Sequence, residues 1–487
     1  MIEHDRLYIG GEWVAPSTTS TIEVVSPFTE EVVGRVPEAR EADVDRAVAA
    51  ARVAFDEGPW PRTSPAERAD VIAKVSQLLQ GRMEELAKLI TTEMGSPISF
   101  SMTGQTIAST MILDFYTGLA REYAFEEVRQ GVFGPALVRQ EPVGVAGAIV
   151  PWNVPLFVTA LKLGPALAAG CTIVLKPAPE TPLDAYVLAE VVEEAGLPPG
   201  VLNIVPAGRE VGEHLVTHPD VDKIAFTGST VAGRRIASLC GERLRRVTLE
   251  LGGKSAAVIL DDADLETTVP GLMYAGLMNN GQACVAQTRI LASRRRYDEV
   301  VEAVAAAVGA LKVGDPMDPE TNVGPLVAER QRERVEGYLA LGREEGATVA
   351  VGGGRPAGLD RGWFVEPTVF TGVDNSMRIA QEEIFGPVLC VIPYDGVDDA
   401  VRIANDSDYG LSGTVWTADV DLGLDIARRV RTGTYTVNGF MMEFCAPFGG
   451  FKCSGLGREL GPEGLTAYLE QKTVCVPAGH EVVTRGW

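Results

Sequence analysis

From Val143 onward the chain alternates short apolar runs with helical ones, and this alternation narrows the fold more than any other feature. Val145 to Val150 and Cys171 to Leu175 read as strands, with a helical pattern over Leu156 to Ala169 between them. Asp222 to Phe226 reads as a further strand, running through Thr227-Gly228-Ser229-Thr230 into a helix that reaches Leu239. Strands joined through helices lie parallel, so the pattern predicts a parallel sheet with helices on both faces. The alternation resumes after Val285, which predicts a second α/β domain. At 487 residues the chain exceeds one core, in line with two or three domains. No internal repeat and no low-complexity linker interrupts it.

Helical and strand patterns alternate throughout, and the clearest upstream signals are helical. Ser64-Pro65-Ala66-Glu67 is a capping box with proline at the first helical position, opening an amphipathic run from Ala66 to Leu79. A second helix is expected from Met83 to Met94, stopping at Gly95, and another from Asp43 through Val48 and Phe55. Two segments differ. Tyr123 to Gln140 is a polar, strand-like excursion, and Thr473 to Val476 alternates like a strand. Exposed strands are hazards unless another chain pairs with them, so both are expected at an oligomer interface.

Composition removes several function classes. A net charge of −23 opposes binding to nucleic acid or an anionic membrane. The N-terminus carries no apolar signal-peptide core, and no apolar run approaches a membrane span. The seven cysteines are odd in number, scattered and never spaced as CxxC; the four histidines fall in no motif. Neither a disulfide framework nor a metal site is expected, and the reduced thiols suggest a cytoplasmic protein.

Chemistry concentrates in two Gly-marked segments. Glu250-Leu-Gly-Gly-Lys-Ser255 offers a carboxylate, and Gly281-Gln-Ala-Cys284 offers a thiol. A thiol can attack a carbonyl and hold the product as a thioester. A carboxylate can then deprotonate the water that releases it. Pro151-Trp-Asn-Val-Pro155 holds Asn153 between prolines, where its amide N–H₂ suits an oxyanion. Leu175-Lys-Pro177 ends a strand at the edge where open α/β sheets bind ligands. The turn from Gly228 to Gly233 leads into a helix N-terminus, a site for phosphate. Each feature alone is ordinary: lone cysteines are commonly core residues, and strand–Gly–helix turns are common without ligands.

Together they are not ordinary. With Glu382-Glu-Ile-Phe-Gly-Pro387, Val437-Asn-Gly439, Pro447-Phe-Gly-Gly450 and Ser454-Gly-Leu-Gly-Arg-Glu459, they occur in the order found in the aldehyde dehydrogenase superfamily, which the whole chain resembles. The resemblance implies NAD(P)-dependent oxidation of an aldehyde to its acid. Cys284 is then the nucleophile, Glu250 the general base, and Asn153 with the Cys284 N–H the oxyanion hole. Lys162 and Glu459 match a pair that relays the proton away from Glu250. Trp152, Lys176, Gly208, Gly212, Phe226, Gly228, Ser229, Gly233, Leu251, Glu383 and Phe385 match cofactor positions. Glu383 would hold the nicotinamide ribose and Lys176 the adenine ribose. Three residues after Lys176, where many NAD-using members carry glutamate, this chain has Pro179 and then Glu180. NAD is the expected cofactor, with NADP left open.

The resemblance also implies a fold: a Rossmann-like cofactor domain (1–122 and 141–252), an α/β catalytic domain (253–454) and a bridging β arm (123–140 and 465–487). Homodimers or homotetramers follow. Val154, Val158, Leu161, Val285, Phe440, Met441, Met442, Phe444 and Phe448 would line the substrate pocket. The set is apolar and lacks arginine, which suggests an aliphatic, terpenoid or aromatic aldehyde rather than a carboxylated one; Glu443 and Cys445 interrupt it. Competing readings are a CoA-acylating member, disfavoured by Glu250, a cofactor-free thiol hydrolase or esterase, and a non-catalytic structural protein on the same fold.

Overall fold

Five parallel strands form the centre of the first sheet, in the spatial order Leu202–Ile204, Thr172–Lys176, Val145–Ile149, Lys223–Thr227, Arg246–Glu250. The structure, a computed structural model, describes residues 1–484. The last three residues of the expected 465–487 segment therefore lie outside the described residues. Among these five the chain starts at the middle strand, Val145–Ile149, and winds outward on one side. It then crosses to Lys223–Thr227 and winds outward on the other. The reversal between Val145–Ile149 and Lys223–Thr227 opens a crevice at the carboxyl ends of these strands, where such sheets receive ligands. Leu7–Ile9 and Glu12–Val14 on one edge and Gly455–Leu456 on the other complete eight strands.

Val145–Ile149 and Thr172–Lys176 are buried along their whole length, as expected of strands covered on both faces. Between them the helix Pro155–Ala169 starts with proline in its first turn and stops at Gly170, whose φ of 91° lies in the left-handed region. It is nearly all apolar because it is sandwiched. The helices Pro65–Gly81 and Ala108–Glu122 pack over it, and Met83–Met94 packs against Ser101–Ile107 and Leu183–Glu194. Ser64 caps its helix as expected: its hydroxyl accepts from Glu67 N–H at 3.3 Å, and the Glu67 carboxylate accepts from Ser64 N–H at 3.0 Å. The segment Ser101–Ile107 forms a π-helical stretch that the sequence pattern did not signal.

The second sheet has seven strands in the order Thr348–Val351, Thr368–Thr371, Val388–Tyr394, Arg289–Ser293, Ala256–Ile259, Gly413–Trp416, Thr436–Val437. Only Thr348–Val351 runs antiparallel. Separate apolar cores cover its two faces. Besides a small sheet of Ile2–Glu3, Val32–Pro37 and Thr21–Val25, a third sheet joins Leu469–Cys475, Gly134–Pro142 and Glu126–Gly131, all antiparallel. Its C-terminal strand begins at Leu469 rather than at the expected Thr473, because 469–472 pair with 139–142. The charges Glu470 and Lys472 on that stretch mask the strand pattern, since both faces are exposed. Among the described residues no helix is long and apolar enough to cross a membrane.

This layout places the chemistry. Glu250 ends the last parallel strand of the first sheet, and 251–255 cross directly to Ala256–Ile259 of the second. The segment carrying Cys284 leads into Arg289–Ser293 of that second sheet. Both chemical loops therefore lie between the sheets.

Candidate active site

Glycines let the chemical loops touch. A Cβ on Gly253 would collide with the Cys284 carbonyl oxygen, and one on Gly252 would collide with the Glu383 carboxylate. Asn279, Asn280 and Gly281 follow one another in the left-handed region, with φ of 53°, 61° and 71°. Glycine and asparagine adopt that conformation most readily, so this run permits the sharp turn before Cys284.

The loops open onto a cavity of about 680 Å³. Cys284, Glu250, Asn153 and Glu459 line it. Asn153 is buried, and its side-chain Nδ2 donates to Gln282 O at 2.8 Å, leaving its second amide hydrogen uncommitted among these bonds. Neither carboxylate oxygen of Glu250 has a hydrogen-bond partner among the described residues. Gly449 stands against it, where a Cβ would come within 2.6 Å of Glu250 Oε1. Lys162 does not line the cavity. Its ammonium donates to Glu459 Oε1 at 2.6 Å and to Thr227 Oγ1 at 2.7 Å, and both members of the ion pair are buried.

Burial dominates the electrostatics. It raises the Glu250 carboxyl well above the ordinary range; the Glu459 charge adds to this, and Lys162 and Arg458 oppose it. The Cys284 thiol is pushed up to about 12, first by burial and then by Glu383 and Glu250. Its sulfur borders the cavity, yet the surrounding wall is protein and negatively charged. A free thiol needs a favourable setting to ionise near neutral pH; the described residues supply the opposite, relieved by the Cys284 and Val285 N–H groups.

Trp152, Gly228, Ser229, Leu251, Glu383 and Phe385 line the same cavity. Ser229 caps the helix Thr230–Glu242, its hydroxyl accepting from Ala232 N–H at 3.3 Å. Phe385, left-handed at φ 64°, meets Trp152 edge-on at 5.4 Å. Glu383 accepts from Gly253 N–H at 2.9 Å, and burial raises its carboxyl to about 7. The remaining expected cofactor residues are not among those lining this cavity. Lys176 donates to Ala207 O at 2.6 Å and Pro177 O at 3.0 Å, with burial lowering its ammonium to about 8. Gly208 caps the helix Arg209–Thr217, and Gly212 lies in its first turn, where a Cβ would come 3.3 Å from Lys176 Cε. Gly233 packs on Leu251, and the Phe226 ring packs on Gly228. Pro179 is half-buried, and Glu180 beyond it is ion-paired with Arg330. This donor set fits a dinucleotide: two helix N-termini for phosphate, an ammonium with a third N–H beyond its two carbonyl bonds, and a carboxyl suited to ribose hydroxyls. Among the described residues no cluster of three or more His, Cys, Asp or Glu side chains could hold a metal ion.

All nine expected pocket residues line the cavity: Val154, Val158, Leu161, Val285, Phe440, Met441, Met442, Phe444 and Phe448. Glu443 lines it too, whereas Cys445 is exposed and is not among the lining residues. The sequence reading missed Phe100, Thr103, Gly104, Ala108 and Met111 from the helical segment after Pro97. It also missed Phe157, Tyr274 and Met278. No local signal marks these positions, except that Phe157 shares a helix face with the Leu161 already chosen. Arg334 lines the cavity as well, with its guanidinium donating to the Glu383 and Ile384 carbonyls at 2.6 and 3.2 Å.

Comparison with known proteins agrees with this geometry. The family model described as "Aldehyde dehydrogenase family" matches residues 13–474. A geranial dehydrogenase from Castellaniella defragrans is 51% identical over 474 residues, covering 97% of this chain and 99% of the relative. A solved Mycobacterium tuberculosis aldehyde dehydrogenase complexed with NAD⁺ superposes with a TM-score of 0.98 at 55% identity, covering 99% of this chain and 100% of that one. A Pseudomonas syringae aldehyde dehydrogenase C variant, solved with NAD⁺ and octanal, gives 0.95 at 44% identity, with 98% of each chain covered. With a thiol, a carboxylate and an amide converging beside a dinucleotide-fitting crevice, and a family match over nearly its whole length, the chain belongs to the aldehyde dehydrogenase family.

Proposed function

We propose that this enzyme oxidises apolar aldehydes, medium-chain aliphatic, terpenoid or aromatic, to their carboxylic acids. The reaction class, NAD-dependent aldehyde oxidation, follows from family membership and prevails over the cofactor-free hydrolase and structural-protein readings. The observation that carries the substrate class is the cavity wall. Phe100, Met111, Phe157, Leu161, Tyr274, Met278 and Phe440 line the cavity that Cys284 borders. Among the described residues the one arginine lining it, Arg334, is occupied with the Glu383 and Ile384 carbonyls. A relative named for geranial and another solved with octanal support the same class.

In this reading Cys284 Sγ bonds to the aldehyde carbon, and the thiol proton passes to Glu250. The Asn153 side chain and the Cys284 N–H donate to the oxygen as it gains charge; losing one such donor costs about 10²–10³ in rate. Trp152, Gly228, Ser229, Leu251, Glu383 and Phe385, with Lys176, Gly208, Gly212, Phe226 and Gly233, would hold NAD, which would supply the hydride acceptor. Glu459 with Lys162 passes the thiol proton on, and the freed Glu250 carboxylate then takes a proton from the water that hydrolyses the resulting thioester. The desolvated carboxyl of Glu250 is a stronger base than an exposed one, which suits that task. Pro179 leaves no carboxylate at its own position, and Glu180 keeps a negative charge near Lys176. We assign 1–122 and 141–252 to the cofactor domain, 253–454 to the catalytic domain, and 123–140 with 465–487 to a bridge in a cytoplasmic homodimer or homotetramer.

The test is kcat/KM for reduced-nicotinamide formation across acetaldehyde, octanal, decanal, benzaldehyde, citral and succinate semialdehyde. Values should rise with apolar size. A higher kcat/KM for succinate semialdehyde than for octanal and citral would overturn the substrate assignment.

A further inference from the structure

Asn153 is held by more than its own loop. Its main-chain carbonyl accepts from Asn279 Nδ2 at 2.8 Å and from Gln105 Nε2 at 3.2 Å, while its side-chain Nδ2 donates to Gln282 O at 2.8 Å. Asn279 Nδ2 also reaches Gln282 O at 3.3 Å. All of these bonds are buried. A carbonyl only accepts, so both amides must present N–H₂ to it, whichever way each is drawn.

The three elements come from different parts of the fold. Asn153 follows the central strand of the first sheet. Asn279 and Gln282 lie on the turn that carries Cys284 into the second sheet. Gln105 sits in the π-helical stretch Ser101–Ile107. Single π turns inside helices recur at functional sites, because the extra residue changes which side chains face inward. Here the stretch delivers a buried glutamine to a residue of the cavity wall.

We propose that Gln105 and Asn279 are positioning residues that fix the distance between the Asn153 amide and the Cys284 N–H, so that both donors meet one oxyanion. The bonds Asn279 to Asn153 and Asn153 to Gln282 form a closed tie between Asn153 and the Cys284 turn, and Gln105 holds the same carbonyl from a third direction. Oxyanion donors act by being preorganised, and misplacement by about 1 Å costs on the order of 10² in rate. The inference rests on the reading of Asn153 as an oxyanion donor.

The experiment is a pair of double-mutant cycles on the full-length enzyme: Gln105→Met and Asn279→Ala, each in the wild-type and Asn153→Ala backgrounds. In the wild-type background each should lower kcat by about tenfold or more, with KM for the aldehyde within about twofold. In the Asn153→Ala background, with the positioned amide gone, the further loss should shrink to less than about twofold. Equal losses in both backgrounds would mean a general structural role and would overturn the proposal, as would a rise in KM with kcat intact. If Gln105→Met does not fold, the Asn279→Ala cycle decides by the same criteria. A normal kcat for Asn153→Ala alone would reject the donor role of Asn153, and this inference with it, while leaving NAD-dependent turnover standing.

Discussion

Cys284 sits where its ionisation is opposed on every side but one. Burial, Glu383 and Glu250 all act against the thiolate, and only two backbone N–H groups favour it. The resting nucleophile is therefore a thiol that needs a base, and Glu250 in the same cavity is a desolvated carboxylate strong enough to serve. The sign for pH follows directly. Both groups act after losing a proton and both lose it later than usual, so reactivity climbs as pH rises. In the cofactor-free protein, alkylation of Cys284 by iodoacetamide should climb about tenfold per pH unit from about pH 7 to about pH 10, without levelling off. The exposed Cys445 and Cys475 should react first. Peptide mass spectrometry after timed alkylation resolves the three, and a plateau for Cys284 below about pH 9 would contradict this electrostatic picture. At this scale the reactive groups are legible: a thiol and a carboxylate on Gly-marked loops announce themselves. Their environment is not, because the charge of Glu383 reaches Cys284 from a segment about a hundred residues further along the chain.

The elements that carry these groups are strand ends and tight turns, and their quality depends on buried ties. The ion pair of Lys162, in the helix Pro155–Ala169, with Glu459, just after Gly455–Leu456, links the first sheet's central helix to its edge. Lys162→Met should lower unfolding free energy by about 3–5 kcal/mol, since it strands a buried carboxylate. Adding Glu459→Gln should recover most of that loss. Urea unfolding measures both, and a loss below about 1 kcal/mol for the single variant would show the pair to be slack. Elements with strong local signals are readable from sequence: Ser64 caps where its box predicts, and Met83–Met94 ends at Gly95. Elements set by partners are not. The π stretch Ser101–Ile107 has no period of its own, and the strand at Leu469 forms because 139–142 supply its partner. Pocket residues such as Thr103, Met111 and Tyr274 share that character, since only packing brings their helices to the cavity.

Across the whole molecule, two α/β sheets meet at the site and a third sheet stands apart from it. The alternation after Val143 makes the two large sheets legible, whereas which faces meet is a tertiary fact. The third sheet leaves Leu469–Cys475 and Glu126–Gly131 as open edges, and its hairpin tip exposes Val132 and Phe133 by 95% and 93%. Bare edges and apolar tips of this kind call for a partner. Light scattering at micromolar concentration should give two or four times the mass of the chain, and a monomer would reject the bridging role of this sheet. The central claim concerns division of labour in the site: Cys284 forms the acyl-enzyme and Glu250 releases it. The most direct measurement is the time course of reduced nicotinamide in Glu250→Gln mixed with excess NAD and octanal. Reduced nicotinamide should rise to about one equivalent per active site, more slowly than in the wild type because the thiol has lost its base, and then nearly stop, with turnover lower by about 10²–10⁴. Steady turnover at the wild-type rate would contradict it.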